Sequence, residues 1–126
     1  MNAQRGFDAS FAAAELSDAP RAGLRMGASL WVGARLLSVG SNRWHSHPAS
    51  DNNGFNRSLH AEHVAILRRQ HYDLPSGRLT MYVARRLADG TIGDSKPCNN
   101  CLALAKLASV RKVWYYEAGM QRELVL

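Results

Sequence analysis

The feature that most constrains this chain is its pair of cysteines, because Cys98 and Cys101 are the only two in 126 residues and stand three positions apart. Two cysteines this close cannot frame a disulfide-rich secreted fold, whereas the C-x-x-C spacing is typical of metal sites and of redox centres. Pro97, directly before the pair, suits the first turn of a helix because its missing N–H has no helical partner there. On that turn the two sulfur atoms share one face and can reach a single ion, and the helix N-terminus favours the thiolate form.

A third potential ligand, His60, stands at the predicted start of another helix. Apolar residues with helical spacing predict that this helix runs from Ser58 to about Gln70. One histidine and two cysteines supply three zinc ligands and leave the fourth tetrahedral position open for water, as catalytic zinc sites require. Glu62, just after His60, is then placed to take a proton from that water and to hand it on.

Other interpretations of these residues stay open. The two cysteines alone fit a redox pair, and a structural zinc site would result if His63 supplied a fourth ligand. Glu62 also fits a solvated acid at a helix start, where the helix dipole favours negative charge. We favour the catalytic zinc site, because it gives the histidine, both cysteines and the carboxylate a role in one centre.

The remaining pattern predicts one α/β domain over residues 1–126. Hydrophobic spacing and turn residues indicate a helix over 7–17, strands over 28–32, 35–39, 79–84 and 112–116, a helix over 98–109, and a tail that adds a short edge strand or none. This alternation predicts helices packed on a mixed sheet, with an antiparallel first hairpin and parallel later crossovers. The polar segment 41–57 is predicted to be a long functional loop.

Charge and composition narrow the class of protein. The formal charge of +6 suggests an anionic partner, either nucleic acid or a nucleotide phosphate. The apolar stretches are far shorter than the roughly 20 residues of a membrane span, so no membrane partner is expected. The N-terminal stretch lacks a continuous apolar region, which argues against a secretory signal and favours a reducing, cytoplasmic location.

Two segments taken together resemble the zinc-dependent nucleobase deaminases, the superfamily that includes cytidine and deoxycytidylate deaminases. His60-Ala61-Glu62 and Pro97-Cys98-Asn99-Asn100-Cys101 match its signature, H-x-E followed by P-C-x-x-C. Gly40-Ser41-Asn42 is similar to the G-x-N by which these enzymes hold the nucleoside sugar. The resemblance covers about residues 24–116. It implies a three-layer α/β/α sandwich with a mixed sheet of roughly four to five strands.

The resemblance also implies roles for individual residues. Zn²⁺ would be held by His60, Cys98 and Cys101, and Glu62 would be the proton shuttle that protonates the ring nitrogen and the departing ammonia. The residues assigned to the substrate are Ala61, whose N–H would donate to a cytosine ring carbonyl, Asn42 at the sugar, and the phosphate candidates Arg43, Arg57 and Lys96. Family members often carry an acidic residue before the Pro-Cys pair, where this chain has Ser95-Lys96.

The predicted function is therefore hydrolytic deamination of a cytosine-type nucleoside or nucleotide, with deoxycytidylate as the leading candidate and a homo-oligomer as the expected assembly. One alternative is a base deaminase that acts on a polynucleotide, either adenosine in tRNA or cytosine in a single strand. Another is a noncatalytic, zinc-stabilised binding module. In the polar segment 41–57, His45 and His47 are expected to be ordinary loop residues rather than a second metal site or a phosphate site. Trp44 or Phe55 could either stack on a base or anchor the loop.

Overall fold

Helices and strands alternate along the chain in the computed structural model, which describes residues 2–19, 25–43, 60–69 and 79–126. The elements in chain order are α1 (Ala3–Ala14), β1 (Met26–Val32), β2 (Arg35–Ser41), α2 (Ala61–Arg69), β3 (Leu79–Arg86), β4 (Ile92–Gly93), α3 (Asn99–Leu107), β5 (Val110–Glu117) and β6 (Met120–Val125). The predictions for Trp44, His45, His47, Phe55, Arg57 and Ser58 lie outside the described residues. None of the described helices has the length and apolar character to cross a membrane.

The strands form one sheet in the order β2-β1-β3-β5-β6, with β4 paired to the end of β3. β1 is antiparallel to both β2 and β3, β3 is parallel to β5, and β5 is antiparallel to β6. Both helical crossovers therefore join strands that run in the same direction, as predicted. Among the described residues the sheet has six strands, slightly more than expected. The additional strand is β4, which has only two residues and so leaves no sequence pattern. β6 is the edge strand that the tail was expected either to add or to omit.

One face of the sheet is covered by α1. Phe7 of this helix is fully buried against Tyr82 and Tyr116, with Trp31 in the same cluster. The helix begins at Ala3 rather than residue 7, because the Asn2 side chain caps it by accepting a hydrogen bond from the Arg5 N–H. This cap lies upstream of the apolar pattern that suggested the later start.

The opposite face is covered by α2 and α3, which completes the predicted three-layer sandwich. Its core combines residues of both helices with residues of the central strands: Ala61, Ala65, Ile66, Ala105, Leu30, Met81, Val83 and Val113. Of the nine residues of α3, only Cys101 and Ala105 are buried. Leu102 and Leu104 add partly buried contacts, so α3 has fewer fully buried residues than the five of α2.

The topology brings the starts of α2 and α3 to the same end of the sheet. β2 and β3 run in the same direction because each is antiparallel to β1, and β5 is parallel to β3. α2 follows the carboxyl end of β2, and α3 follows β3 and β4. In α/β sheets the carboxyl ends of parallel strands are where ligands usually bind.

Candidate metal centre and active site

Three predicted ligands meet at this end of the sheet. His60 Nδ1 lies 3.2 Å from Cys101 Sγ and 3.7 Å from Cys98 Sγ. All three ligand atoms lie within 4.8 Å of one another. Zn–N bonds of about 2.0–2.1 Å and Zn–S bonds of about 2.3 Å put a nitrogen and a sulfur about 3.6 Å apart on a tetrahedral ion. The two observed distances lie on either side of that value, so the donor set fits zinc without large rearrangement.

The ligands are presented by two helix starts. Cys98 is the N-cap of α3, with an extended backbone (φ −68°, ψ 165°) and no side-chain capping bond, and its carbonyl accepts from the Leu102 N–H at 3.0 Å. The His60 carbonyl likewise accepts from the Val64 N–H at 3.1 Å, just ahead of α2. Cys98 is exposed and Cys101 is buried. The sequence pattern predicted that the helix begins at Cys98. Cys98 is instead the residue that precedes the helix, and its sulfur makes no capping bond and lies 3.7 Å from His60 Nδ1.

The α2 half of the centre rests on β2 through a close backbone approach. A Cβ at Gly40 would lie 2.5 Å from both the Ala61 carbonyl oxygen and the Ala65 nitrogen. Ser38, on the same strand, donates its hydroxyl hydrogen to the Ala65 carbonyl at 2.8 Å. The glycine of the Gly-Ser-Asn segment thus allows α2 to pack closely on β2, a role that the sequence pattern did not indicate.

Glu62 is buried beside the ligands, with only 3% of its surface exposed. Burial raises the pKa of its carboxyl group, against the lowering effects of a backbone hydrogen bond, the charge of His60 and a hydrogen bond with Cys101. Burial likewise raises the pKa of the Cys101 thiol, and the negative charge of Glu62 raises it further. A buried sulfur and a buried carboxylate in contact call for a cation, which is what a metal ion held by these ligands supplies.

The residues predicted to contact the substrate differ in their burial and in their contacts. Ala61 is buried as the first residue of α2. The Asn42 side-chain oxygen accepts from the Met26 N–H at 2.9 Å and its own N–H donates to the Met26 carbonyl at 3.2 Å, so Asn42 closes the open end of the β1–β2 hairpin. Arg43 follows it and is half-buried. Lys96 is exposed, with its Nζ 6.0 Å from the centroid of the Tyr115 ring. Arg57 lies outside the described residues.

For two residues near the centre, His63 and Ser95, the structure differs from the sequence-based expectation. Among the described residues, the group of three potential ligands consists of His60, Cys98 and Cys101, and it does not include His63. Ser95 is almost fully buried and bonds to both β3 and β5. A serine before a Lys-Pro sequence is an ordinary turn residue, so the sequence carries no signal for this role.

Comparisons with solved structures identify the fold. Cytidine deaminase from Burkholderia pseudomallei superimposes with a TM-score of 0.75 at 19% identity, over 99% of this chain and 93% of that chain. A mutant cytidine deaminase from Mycobacterium tuberculosis gives 0.64 at 17% identity, over 97% and 90%. The apo dCMP deaminase of cyanophage S-TIM5 gives 0.63 at 19% identity, over 87% and 78%.

No family model and no curated protein matches the sequence. The structural matches confirm the deaminase-like α/β/α fold that the two sequence segments predicted.

Proposed function

We propose that this chain is a zinc-dependent hydrolytic deaminase of a cytosine-type nucleoside or nucleotide. The observation that carries the proposal is the meeting of His60, Cys98 and Cys101 within 4.8 Å. Glu62 is buried in the same centre and hydrogen-bonded to Cys101. A redox pair would need only the two cysteines, whereas His60 Nδ1 lies close to both sulfurs. The matched fold, found in cytidine and dCMP deaminases, supports the same conclusion.

The donor set suits zinc, because thiolate and imidazole are the ligands that zinc prefers. When bound, the ion would supply Lewis-acid activation of a water molecule. Because the described ligands number three, they match the ligand count of catalytic zinc sites rather than that of closed structural ones.

Glu62 is the residue proposed to move protons. Its burial raises the pKa of the carboxyl group, which favours proton exchange closer to neutral pH. It would accept a proton as water adds to the amino-bearing carbon of the ring. It would pass this proton to the neighbouring ring nitrogen. It would then take the proton of the newly formed hydroxyl group and deliver it to the amino group, which leaves as ammonia while the ring carbon becomes a carbonyl.

Substrate orientation would come from the start of α2 and the surrounding cations. Ala61 is the first residue of this helix, so its N–H has no acceptor within the helix and can donate to a cytosine ring carbonyl. Asn42 is proposed to lie near the sugar, and Arg43, Arg57 and Lys96 remain the candidates for a phosphate. Cytidine deaminases and a dCMP deaminase share this fold, so deoxycytidylate stays the leading candidate and a free nucleoside the next.

The test is an ammonia-release screen of the zinc-loaded protein. It covers cytidine, deoxycytidine and their monophosphates, with guanine, adenosine, single-stranded DNA and a tRNA anticodon hairpin as the other candidates. Glu62→Ala is expected to keep stoichiometric zinc and the fold but to lose ammonia release, because it removes a proton carrier and not a ligand. Full activity in this variant would refute the role of Glu62 as the proton carrier. A wild-type protein that deaminates none of these bases would refute the enzymatic function and favour a zinc-stabilised binding module.

A polynucleotide substrate is the second candidate, favoured by the cations at the metal end of the sheet. Arg43 follows β2, Arg85 is the last residue but one of β3, and Lys96 precedes Cys98 by two positions. Binding of single-stranded DNA or the tRNA hairpin would then weaken steeply with salt, because each neutralised phosphate releases counterions. Deamination of free cytidine together with salt-insensitive binding of nucleic acid would exclude this candidate.

A further inference from the structure

Strands β3 and β5 separate just before the metal centre. Their parallel pairing runs from Leu79 opposite Val110 to Tyr82 opposite Trp114, although β3 continues to Arg86 and β5 to Glu117. Beyond that point the facing backbone groups no longer meet directly. A parallel ladder that opens inside the sheet leaves buried donors and acceptors that need other partners.

Ser95 supplies those partners. Its hydroxyl donates to the Val83 carbonyl at 2.7 Å and accepts from the Tyr116 N–H at 2.9 Å, so one oxygen atom bridges the two strands. Its own N–H donates to the Tyr116 carbonyl at 2.9 Å. Ser95 is only 1% exposed, and Val83 and Tyr116 are also buried, so water cannot easily replace the hydroxyl.

The segment around Ser95 is tied to the strand ends at two further places. Gly93 pairs with Arg85 of β3, and the Asp94 carboxylate accepts from the Ala118 N–H at 2.9 Å. Cys98 comes three residues after Ser95, and Pro97 between them has a fixed φ angle and is buried. The position of Ser95 therefore restricts where Cys98 can lie.

Helix α3 has a smaller buried face than α2, although Leu102 and Leu104 pack partly buried against the core. Only Cys101 and Ala105 of its nine residues are buried, and Cys101 is itself one of the potential ligands. The start of this helix is consequently fixed more by the segment that precedes it than by its own packing.

We propose that Ser95 is a positioning residue of the metal centre, which fixes Cys98 and Cys101 relative to the ends of β3 and β5. The inference rests on the proposed function only through the metal site. Its effect is specific to the cysteine half, because His60 and Glu62 are held separately through Gly40 and Ser38.

The experiment compares Ser95→Ala with Ser10→Ala. Ser10 is an equally buried serine whose hydroxyl donates to the Tyr82 carbonyl at 2.8 Å, but it lies on α1, across the sheet from the metal centre. Both variants are expected to unfold at lower denaturant concentration. In a zinc titration against a competing chelator, Ser95→Ala should raise the Kd about 10- to 100-fold, as loss of residues that support metal ligands does, whereas Ser10→Ala should change it less than about threefold. Equal changes in the two variants would overturn the proposal.

A metal-independent readout separates this proposal from the proposed function. In the metal-free protein, hydrogen exchange of the amides at the start of α3 should speed up in Ser95→Ala and stay at the wild-type rate in Ser10→Ala. If wild-type protein binds no zinc but this exchange pattern is seen, the metal site fails and the positioning role stands. Unchanged exchange in Ser95→Ala refutes the positioning role whatever the metal result.

A milder pair of variants covers the case in which Ser95→Ala does not fold. Asp94→Ala removes only the bond to the Ala118 N–H from an exposed residue of the same segment. Asp89→Ala removes comparable bonds, to Thr91, from the exposed turn between β3 and β4. Faster exchange at the start of α3 is expected for Asp94→Ala and not for Asp89→Ala, and identical exchange in the two contradicts the proposal.

Discussion

Replacement of Gly40 by alanine should displace the histidine half of the metal centre. The new Cβ would lie 2.5 Å from backbone atoms of Ala61 and Ala65, whereas ordinary contacts begin at 3.4 Å, so α2 must retreat by about 0.9 Å. Neither obstacle is a flexible side chain. Metal–ligand distances tolerate errors of only about 0.2 Å, so His60 cannot follow this shift and keep its bond length.

Gly40→Ala is expected to lower both the stability of the fold and the affinity for metal, and the size of each effect can be stated. Overpacking of this kind costs about 1–3 kcal/mol of unfolding free energy. Misplaced support of a metal ligand raises the Kd for metal about 10- to 100-fold, and a displacement of about 1 Å at a catalytic group lowers turnover by about 100-fold. The measurements are urea unfolding in the presence of a chelator, a competitive zinc titration and the rate of ammonia release.

Gly27→Ala is the matched control. Its Cβ would lie 1.8 Å from the Ser10 carbonyl oxygen and 2.6 Å from the Ala14 nitrogen, which makes the same kind of clash with α1 on the other face of the sheet. It should destabilise the fold at least as much while the zinc affinity of the folded protein stays near that of the wild type. The reasoning is refuted if Gly40→Ala loses stability but binds zinc like the wild type, or if both variants weaken zinc equally.

Three further predictions concern stability. Removal of zinc by a chelator should lower the melting temperature, since a ligand at 100 times its Kd stabilises the folded state by about 2.7 kcal/mol; an unchanged transition in calorimetry would contradict this. Phe7→Ala should cost about 3–5 kcal/mol in urea unfolding, because the ring is fully buried and lies 4.5 Å from Tyr116 between centroids, and a loss below about 1 kcal/mol would argue against the α1 core. Burial raises the pKa of Tyr82, so the unfolded state loses this proton first and the free energy of unfolding falls as pH rises above about 10. In Tyr82→Phe the free energy of unfolding should fall less steeply between about pH 9 and 11. A slope identical to that of the wild type would exclude the effect.

The meeting of the three potential metal ligands was predictable from sequence because each stands beside a helix start. His60 and the Cys98–Cys101 pair come next to apolar patterns that mark α2 and α3, and both patterns are local. The layer order followed from the alternation of helices and strands, since covering both faces of a sheet is the stable solution for such a pattern.

Features that depend on contacts between distant segments were not predictable. Ser95 bonds to Val83 and Tyr116, which are 12 and 21 positions away, and nothing in its neighbourhood marks it. Gly40 belongs to a segment interpreted as a sugar contact, yet its most direct effect is to let α2 approach β2. β6 lacks the alternation of a half-buried strand because nearly all of its residues are exposed. The sequence therefore left open whether the tail forms an edge strand, and the pairing with β5 decides it.

The pairing of His60 with Cys101 joins points 41 positions apart in the chain. A metal held between them acts as a reversible cross-link, and polymer theory assigns a closed loop of this length about 4 kcal/mol of lost entropy in the unfolded chain. A disulfide would stabilise the fold by a similar amount, but only where the surroundings are oxidising. The cross-link that the proposed zinc ion would make needs no oxidant, so it would stabilise this domain as a covalent cross-link does, whether the surroundings are oxidising or reducing.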